Sequence, residues 1–119
     1  MIRRGEIYLV AFDPVRGSEA NKTRPAIVVS NDGSNIAVER RNRGVIVVVP
    51  LTTNTSRILS FQLVVPATAS GLRFDSKAQP EQIRAMDVAR FGARVGRVSA
   101  AIMAQVEQGI AVHLGLTTR

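Results

Sequence analysis

Gly44-Val45-Ile46-Val47-Val48-Val49-Pro50-Leu51-Thr52-Thr53 holds the longest stretch of the chain that reads as strand on both faces. It is apolar from Val45 to Leu51, so the pattern predicts a central strand covered on both sides, ending in the polar exit Thr52-Thr53-Asn54-Thr55-Ser56. Toward the N-terminus, Arg24-Pro25-Ala26-Ile27-Val28-Val29-Ser30 reads as a second strand, with proline tolerated near its start and Asn31-Asp32-Gly33 stopping it. A basic connection with Arg40, Arg41 and Arg43 then leads to Gly44. Glu6 to Phe12 reads as the first strand, closed by Asp13-Pro14, and the polar stretch Val15 to Thr23 as a loop joining it to the second. Toward the C-terminus, Ile58 to Val65 predicts a fourth strand, Pro66 to Gly71 a turn, and Lys77 to Arg84 a fifth strand at an edge because Pro80 interrupts it. Met86 to Phe91 fits one helical turn and Arg94 to Val98 a short extended piece. Ser99 then caps a helix running to about His113, in which Gly109 implies close packing or a bend. Several short strands followed by one terminal helix, without βαβ alternation, describe a small antiparallel barrel in a single domain, residues 1–119.

Composition narrows the chemistry. With no cysteine, disulfide scaffolds, thiolate nucleophiles and cysteine zinc sites are excluded, and the single histidine, His113, leaves no His/His acid–base pair. No apolar run approaches the roughly 18 residues of a membrane helix, and Met1 to Glu6 carries no secretory pattern, so a soluble, cytoplasmic protein is expected. Sixteen bases face nine acids, a formal +7, and the bases are fourteen arginines to two lysines. Arginine meets phosphate bidentately and stacks on bases, which points to nucleic acid or an acidic protein partner. An arginine-rich solvated surface drawn from a GC-rich genome would give the same count.

The strand pattern brings polar groups to strand ends: Ser18 and Glu19 in the first loop, Arg24 opening the second strand, Thr52 and Thr53 leaving the third, and Glu81, Gln82 and Arg84 on the fifth. In a small barrel such ends can converge on one mouth. Arg4-Gly5-Glu6-Ile7-Tyr8, Asp13-Pro14 with Gly17-Ser18-Glu19, Arg24-Pro25-Ala26-Ile27-Val28-Val29-Ser30-Asn31-Asp32, Val49-Pro50-Leu51-Thr52-Thr53 and Glu81-Gln82-Ile83-Arg84 together resemble, in order and spacing, the MazF/PemK toxins. Each piece is weak alone; in register over nearly the whole chain they are specific.

The resemblance implies a mainly β fold with a C-terminal helix, the SH3-like small barrel shared with the CcdB gyrase poisons. It further implies a homodimeric, metal-independent endoribonuclease, with no cofactor, that cuts single-stranded mRNA at a short sequence. Such cleavage uses the ribose 2′-hydroxyl to attack phosphorus, leaving a 2′,3′-cyclic phosphate or its 3′-phosphate and a 5′-hydroxyl. Arg24 matches the family's catalytic arginine and Thr52 its catalytic threonine. Glu19 is the preferred proton acceptor, because a guanidinium with a pKa above about 12 accepts protons poorly. Glu81 is second, standing in Gln79-Pro80-Glu81 where some members have Arg-x-Asp. Those members carry a histidine where this chain has Ser18, so a histidine-assisted mechanism does not transfer. Ser18, Lys22, Thr53, Glu81, Gln82 and Arg84 are the expected RNA contacts, with Gln82 able to read base edges.

Each choice has a plainer alternative: a strand-end ion pair for Arg24, a hydroxyl closing a turn for Thr52, a solvated acid for Glu19, a surface amide for Gln82. The resemblance also implies a cognate antitoxin whose acidic disordered tail lies across the RNA groove. Two other functions fit a barrel of this kind, a poison of a protein target such as gyrase and a single-strand binder that does not cut.

Overall fold

A computed structural model describes residues 1–12 and 22–118, with Lys22 placed by its backbone alone. The strands are β1 Glu6–Phe12, β2 Lys22–Val28, β3 Val45–Thr52, β4 Leu63–Val65, β5 Ser76–Ala78, β6 Arg84–Asp87 and β7 Phe91–Arg97. The helices are α1 Asp32–Arg41, the single turn α2 Ala67–Ser70 and α3 Ala100–His113. The sheet order is β4-β5-β3-β2-β1-β7, with β6 also on β3.

β3 is central, as its composition predicts. Along one edge it pairs with β2 (Ala26↔Pro50, Ile27↔Val49, Val28↔Val48). Along the other it pairs first with β6 (Val45↔Asp87 to Val48↔Arg84) and then with β5 (Leu51↔Ala78, Thr52↔Lys77). Pro50, which has no N–H to donate, falls between these two ladders, so a central strand accommodates it without losing a bond. Its carbonyl still accepts from the Gln79 amide at 3.0 Å.

The pleat separates two cores. On one face Ile7, Ile27, Val49, Leu51, Leu63, Val65 and Ala78 pack with Ile102, Met103 and Val106 of α3. On the other Tyr8, Val10, Ala26, Val28, Ile46, Val48 and Met86 form a second cluster, joined by Phe12, Val38, Val88 and Phe91. The sheet curls around this second cluster. The Arg84 guanidinium of β6 lies 5.2 Å from the centre of the Phe12 ring of β1, although β3 and β2 stand between those strands. The result is a curled half-barrel backed by the C-terminal helix, of the small-barrel class expected.

Four local expectations are corrected. The basic connection is the helix α1, started by Asn31, whose side chain accepts from the Ser34 amide at 2.8 Å. Asn35 is buried on it with both ends bonded: Nδ2 donates to the Ser30 carbonyl at 3.0 Å and Oδ1 accepts from the Ser30 hydroxyl at 2.6 Å. The second strand stops at Val28, because Ser30 is drawn into that network and its Oγ also accepts from the Val47 amide. The fourth strand is only Leu63–Val65, since the Gln62 amide closes a turn onto the Leu59 carbonyl at 2.9 Å. The fifth is not one edge strand: Pro80 starts a 3-10 turn, Pro80–Gln82, that divides it into β5, lying between β4 and β3, and β6.

The terminal helix agrees with its pattern. Ser99 caps it, its hydroxyl accepting from the Ile102 amide at 3.2 Å. Gly109 is there for close packing: a Cβ would strike the Phe61 carbonyl and come within 2.8 Å of Pro80 Cγ.

Candidate functional site

Residues directly opposite in neighbouring strands share a face of the sheet. Arg24 is opposite Val10, and Val10 belongs to the second cluster, so Arg24 stands on that concave face. Ala26 faces Pro50, and two steps back along β2 and two forward along β3 set Arg24 level with Thr52. Thr52 is in turn opposite Lys77 of β5. Arg24, Thr52 and Lys77 thus form one rung across three adjacent strands. Arg84, opposite Val48, stands on the same face with its guanidinium over Phe12.

All three rung residues are half-buried. Among the described residues Arg24 makes no hydrogen bond and no ion pair, so nothing there consumes its donors. Pro25 fixes its placement by holding the preceding backbone extended as β2 enters the sheet. The Thr52 hydroxyl oxygen accepts from the Asn54 amide at 3.3 Å, which leaves its own O–H free to donate outward. Lys77 Nζ donates to the Arg57 carbonyl at 2.6 Å, tying the segment after Thr52 to β5, and two of its three hydrogens remain. A site with three cations and a hydroxyl donor on one concave face is built to hold an anion.

Other expected site residues are placed differently. Ser18 and Glu19 lie outside the described residues, as does the side chain of Lys22. Thr53, one residue on from Thr52, turns to the other side of the sheet. There it lines a cleft of about 430 Å³ with Leu9, Pro25, Leu72, Phe74 and Val95. Glu81 is engaged elsewhere: Gln62 Nε2 donates to its Oε2 at 2.7 Å, while Oε1 is buried with no partner among the described residues. Gln82 is exposed on the 3-10 turn, and its amide closes that turn onto the Gln79 carbonyl at 2.8 Å. Sequence reasoning missed Lys77 and Phe12. The signal for Lys77 was its rarity, as one of only two lysines. Its position became visible only once Pro80 was seen to set β5 against Thr52.

A second polar cluster lies near the start of β1. Glu6 is buried, with Oε1 accepting from the Arg3 amide at 2.8 Å and Oε2 from Arg94 at 2.7 Å. Burial pushes its carboxyl up, but the Arg3 amide, Arg94 and the Tyr8 hydroxyl together hold it below the ordinary value. The Tyr8 hydroxyl lies 3.0 Å from both Glu6 Oε1 and the Met1 carbonyl oxygen. Burial, and then the Glu6 carboxylate, push its pKa up to about 12.

Residues 3–114 match the family of PemK-like, MazF-like toxins of type II toxin–antitoxin systems. The chain is 52% identical over 116 residues to endoribonuclease MazF9 of Mycobacterium tuberculosis, covering 98% of each. Its fold is similar to that of a mycobacterial endoribonuclease solved in complex with its cognate antitoxin (TM-score 0.72, 25% identity, 98% of each chain covered). It is similar also to a MazE–MazF structure from Deinococcus radiodurans (TM-score 0.77, 22% identity, 98% of this chain and 97% of that chain). With the family model covering nearly its whole length, the chain belongs to the PemK-like, MazF-like toxins.

Proposed function

We propose that this protein is a toxin that cuts single-stranded RNA at short sequences, without a metal, and is neutralised by a cognate antitoxin. Family membership and the 52% identity to an endoribonuclease support the RNA-cleaving activity. The observation that carries the mechanism is Arg24, level with Thr52 on a concave cationic face and unspent among the described residues.

In this reading the 2′-hydroxyl loses its proton and its oxygen bonds to the adjacent phosphorus. The bond from phosphorus to the 5′ oxygen then breaks and that oxygen takes up a proton from water, giving a 2′,3′-cyclic phosphate and a 5′-hydroxyl. The Arg24 guanidinium, always charged, donates to the phosphorane oxygens and to the leaving 5′ oxygen, where charge accumulates. The Thr52 hydroxyl donates to a non-bridging oxygen, a task its acceptor bond from Asn54 leaves it free to perform. Glu19 takes the 2′ proton. Glu81 fits that step less well, because its Oε2 is held by Gln62. Arg84 holds the RNA backbone, and Gln82 and Ser18 contact bases or sugars.

The same face suits the acidic tail of an antitoxin, so neutralisation proceeds by competition with RNA. Two copies of the chain pair as the working toxin, which acts where mRNA is translated. The test is incubation of the protein with a long single-stranded RNA in EDTA, with the new ends mapped. Discrete cuts bearing 5′-hydroxyls, abolished by one 2′-deoxy substitution at the scissile nucleotide, are expected. RNA left intact by a folded preparation would overturn the reading in favour of a protein target.

A further inference from the structure

We propose that Lys77 is a further RNA-binding residue of this site, holding the phosphate next to the scissile one. The inference rests on the endoribonuclease reading and adds to it a contact that none of the motif residues supplies. Thr52 is the midpoint of the rung, with Arg24 one strand away on one side and Lys77 one strand away on the other. Strands are about 4.8 Å apart, so the two cations flank the hydroxyl at roughly equal distances, a spacing of about 10 Å between their backbones. A strand of RNA that crosses the rung with its scissile phosphate between Arg24 and Thr52 brings a neighbouring phosphate toward β5.

Lys77 is equipped to meet it. It has no carboxylate partner among the described residues. Its only bond there is to the Arg57 carbonyl at 2.6 Å, a neutral acceptor that leaves the charge uncompensated and two hydrogens unused. That bond also limits the ammonium to the space beside the Thr52 exit, so less side-chain freedom is lost when a phosphate arrives. Val64 of β4, next along the rung, is apolar and exposed, so Lys77 is the outermost cation of the row.

Lys77 also has a purely structural use, closing the segment between Thr52 and Arg57 onto β5, and the test separates the two. Lys77→Gln keeps a donor for the Arg57 carbonyl and removes the charge; Lys77→Met removes both. Binding of a non-cleavable RNA, 2′-deoxy at the scissile nucleotide, is measured from low to moderate salt beside cleavage of the matching all-ribose RNA. Wild-type cleavage of the latter checks the underlying reading independently.

For Lys77→Gln the expected result is KM and Kd raised roughly tenfold on every sequence tested, with kcat within about twofold and the cleavage sequence unchanged. The slope of log affinity against log salt should flatten by about 0.7, the loss of one phosphate contact on a single strand. A single methylphosphonate next to the scissile position should weaken wild type by the same factor and add nothing in the variant. If Lys77→Gln keeps the wild-type salt slope, or if its loss adds to that of the methylphosphonate at each neighbouring position, Lys77 serves only the loop and the proposal is wrong. Should Lys77→Gln fold poorly, the methylphosphonate scan of the wild type decides: a neighbouring position whose neutralisation costs about tenfold and flattens the slope by about 0.7 is expected, and a scan in which no neighbouring position weakens binding overturns the proposal.

Discussion

Arginine appears at both ends of β1 and does opposite things there. Near Glu6, Arg94 donates to a buried carboxylate that also accepts from the Arg3 amide and lies 3.0 Å from the Tyr8 hydroxyl, so the arginine's charge is met by an acid of the protein itself. Toward Phe12, the neighbouring Arg24 and Arg84 have no carboxylate among the described residues; Arg84 rests on an aromatic ring and Arg24 on nothing polar. The difference lies in the acids: Glu6 stands opposite Arg97 and within reach of Arg94, whereas Val10 and Thr52 flank Arg24. A basic residue whose charge the fold neutralises stabilises that fold, and one left unneutralised on a concave face is available to a ligand. Composition counts both kinds alike, which is why the +7 balance alone could not separate a nucleic-acid site from a solvated surface.

The comparison predicts effects of graded size. Arg24→Ala should lower cleavage by about 10³-fold or more, since it removes several donors to the transition state and one such donor is typically worth 10² to 10³. Thr52→Val, which keeps shape and loses one hydroxyl, should cost about 10²-fold in kcat with little change in KM, measured on a short RNA containing one site. Arg94→Ala should do the reverse, leaving cleavage within about twofold while lowering stability by about 1 kcal/mol in urea unfolding, because half of that pair is solvent-exposed. If Arg94→Ala impaired cleavage more than folding, the division between the two ends would be wrong.

The smallest effects are in pH. Glu6 is held below its ordinary value, so its stabilising contribution is present above about pH 4.5 and is lost as pH falls through the folded-state value. Tyr8 is raised from 10.0 to about 12, so its contribution is complete below pH 10 and disappears as pH rises toward 12. Tyr8→Phe should therefore flatten the alkaline fall in stability over that window and, by removing one of the donors that hold Glu6 down, also soften the acid limb without abolishing it. An unchanged alkaline profile in Tyr8→Phe would mean that another group controls it.

Much of the fold was legible because its central element had no competing reading. Val45 to Leu51 reads as a covered strand, and Glu6 to Phe12 and Arg24 to Val28 as strands beside it, whereas the faces they present come from the pairing register. The helix α1 was not legible, because it carries almost no amphipathic pattern: its arginines are exposed and its one buried residue is the polar Asn35. Its start was nonetheless written in Asn31, a capping residue read only as a strand stop. Pro80 was rightly seen as an interruption, but whether a proline ends a strand or divides it between two ladders depends on what the partner strand does, and β3 carries its own proline at that level. Arg24 and Thr52 were legible from motif, and the register counted along β2 and β3 sets them side by side. Lys77 belonged to no motif, and only the pairing of β5 with Thr52 brings it to the same rung.

The most direct measurement is a paired one on Arg24→Ala: its melting temperature and its cleavage of a single-site RNA in EDTA. The account predicts a melting temperature within a few degrees of wild type, because Arg24 makes no hydrogen bond or ion pair among the described residues, together with loss of cleavage by about three orders of magnitude. Cleavage at the wild-type rate, or a loss of cleavage that merely follows unfolding, would contradict the claim that this arginine is held free of the fold for the RNA.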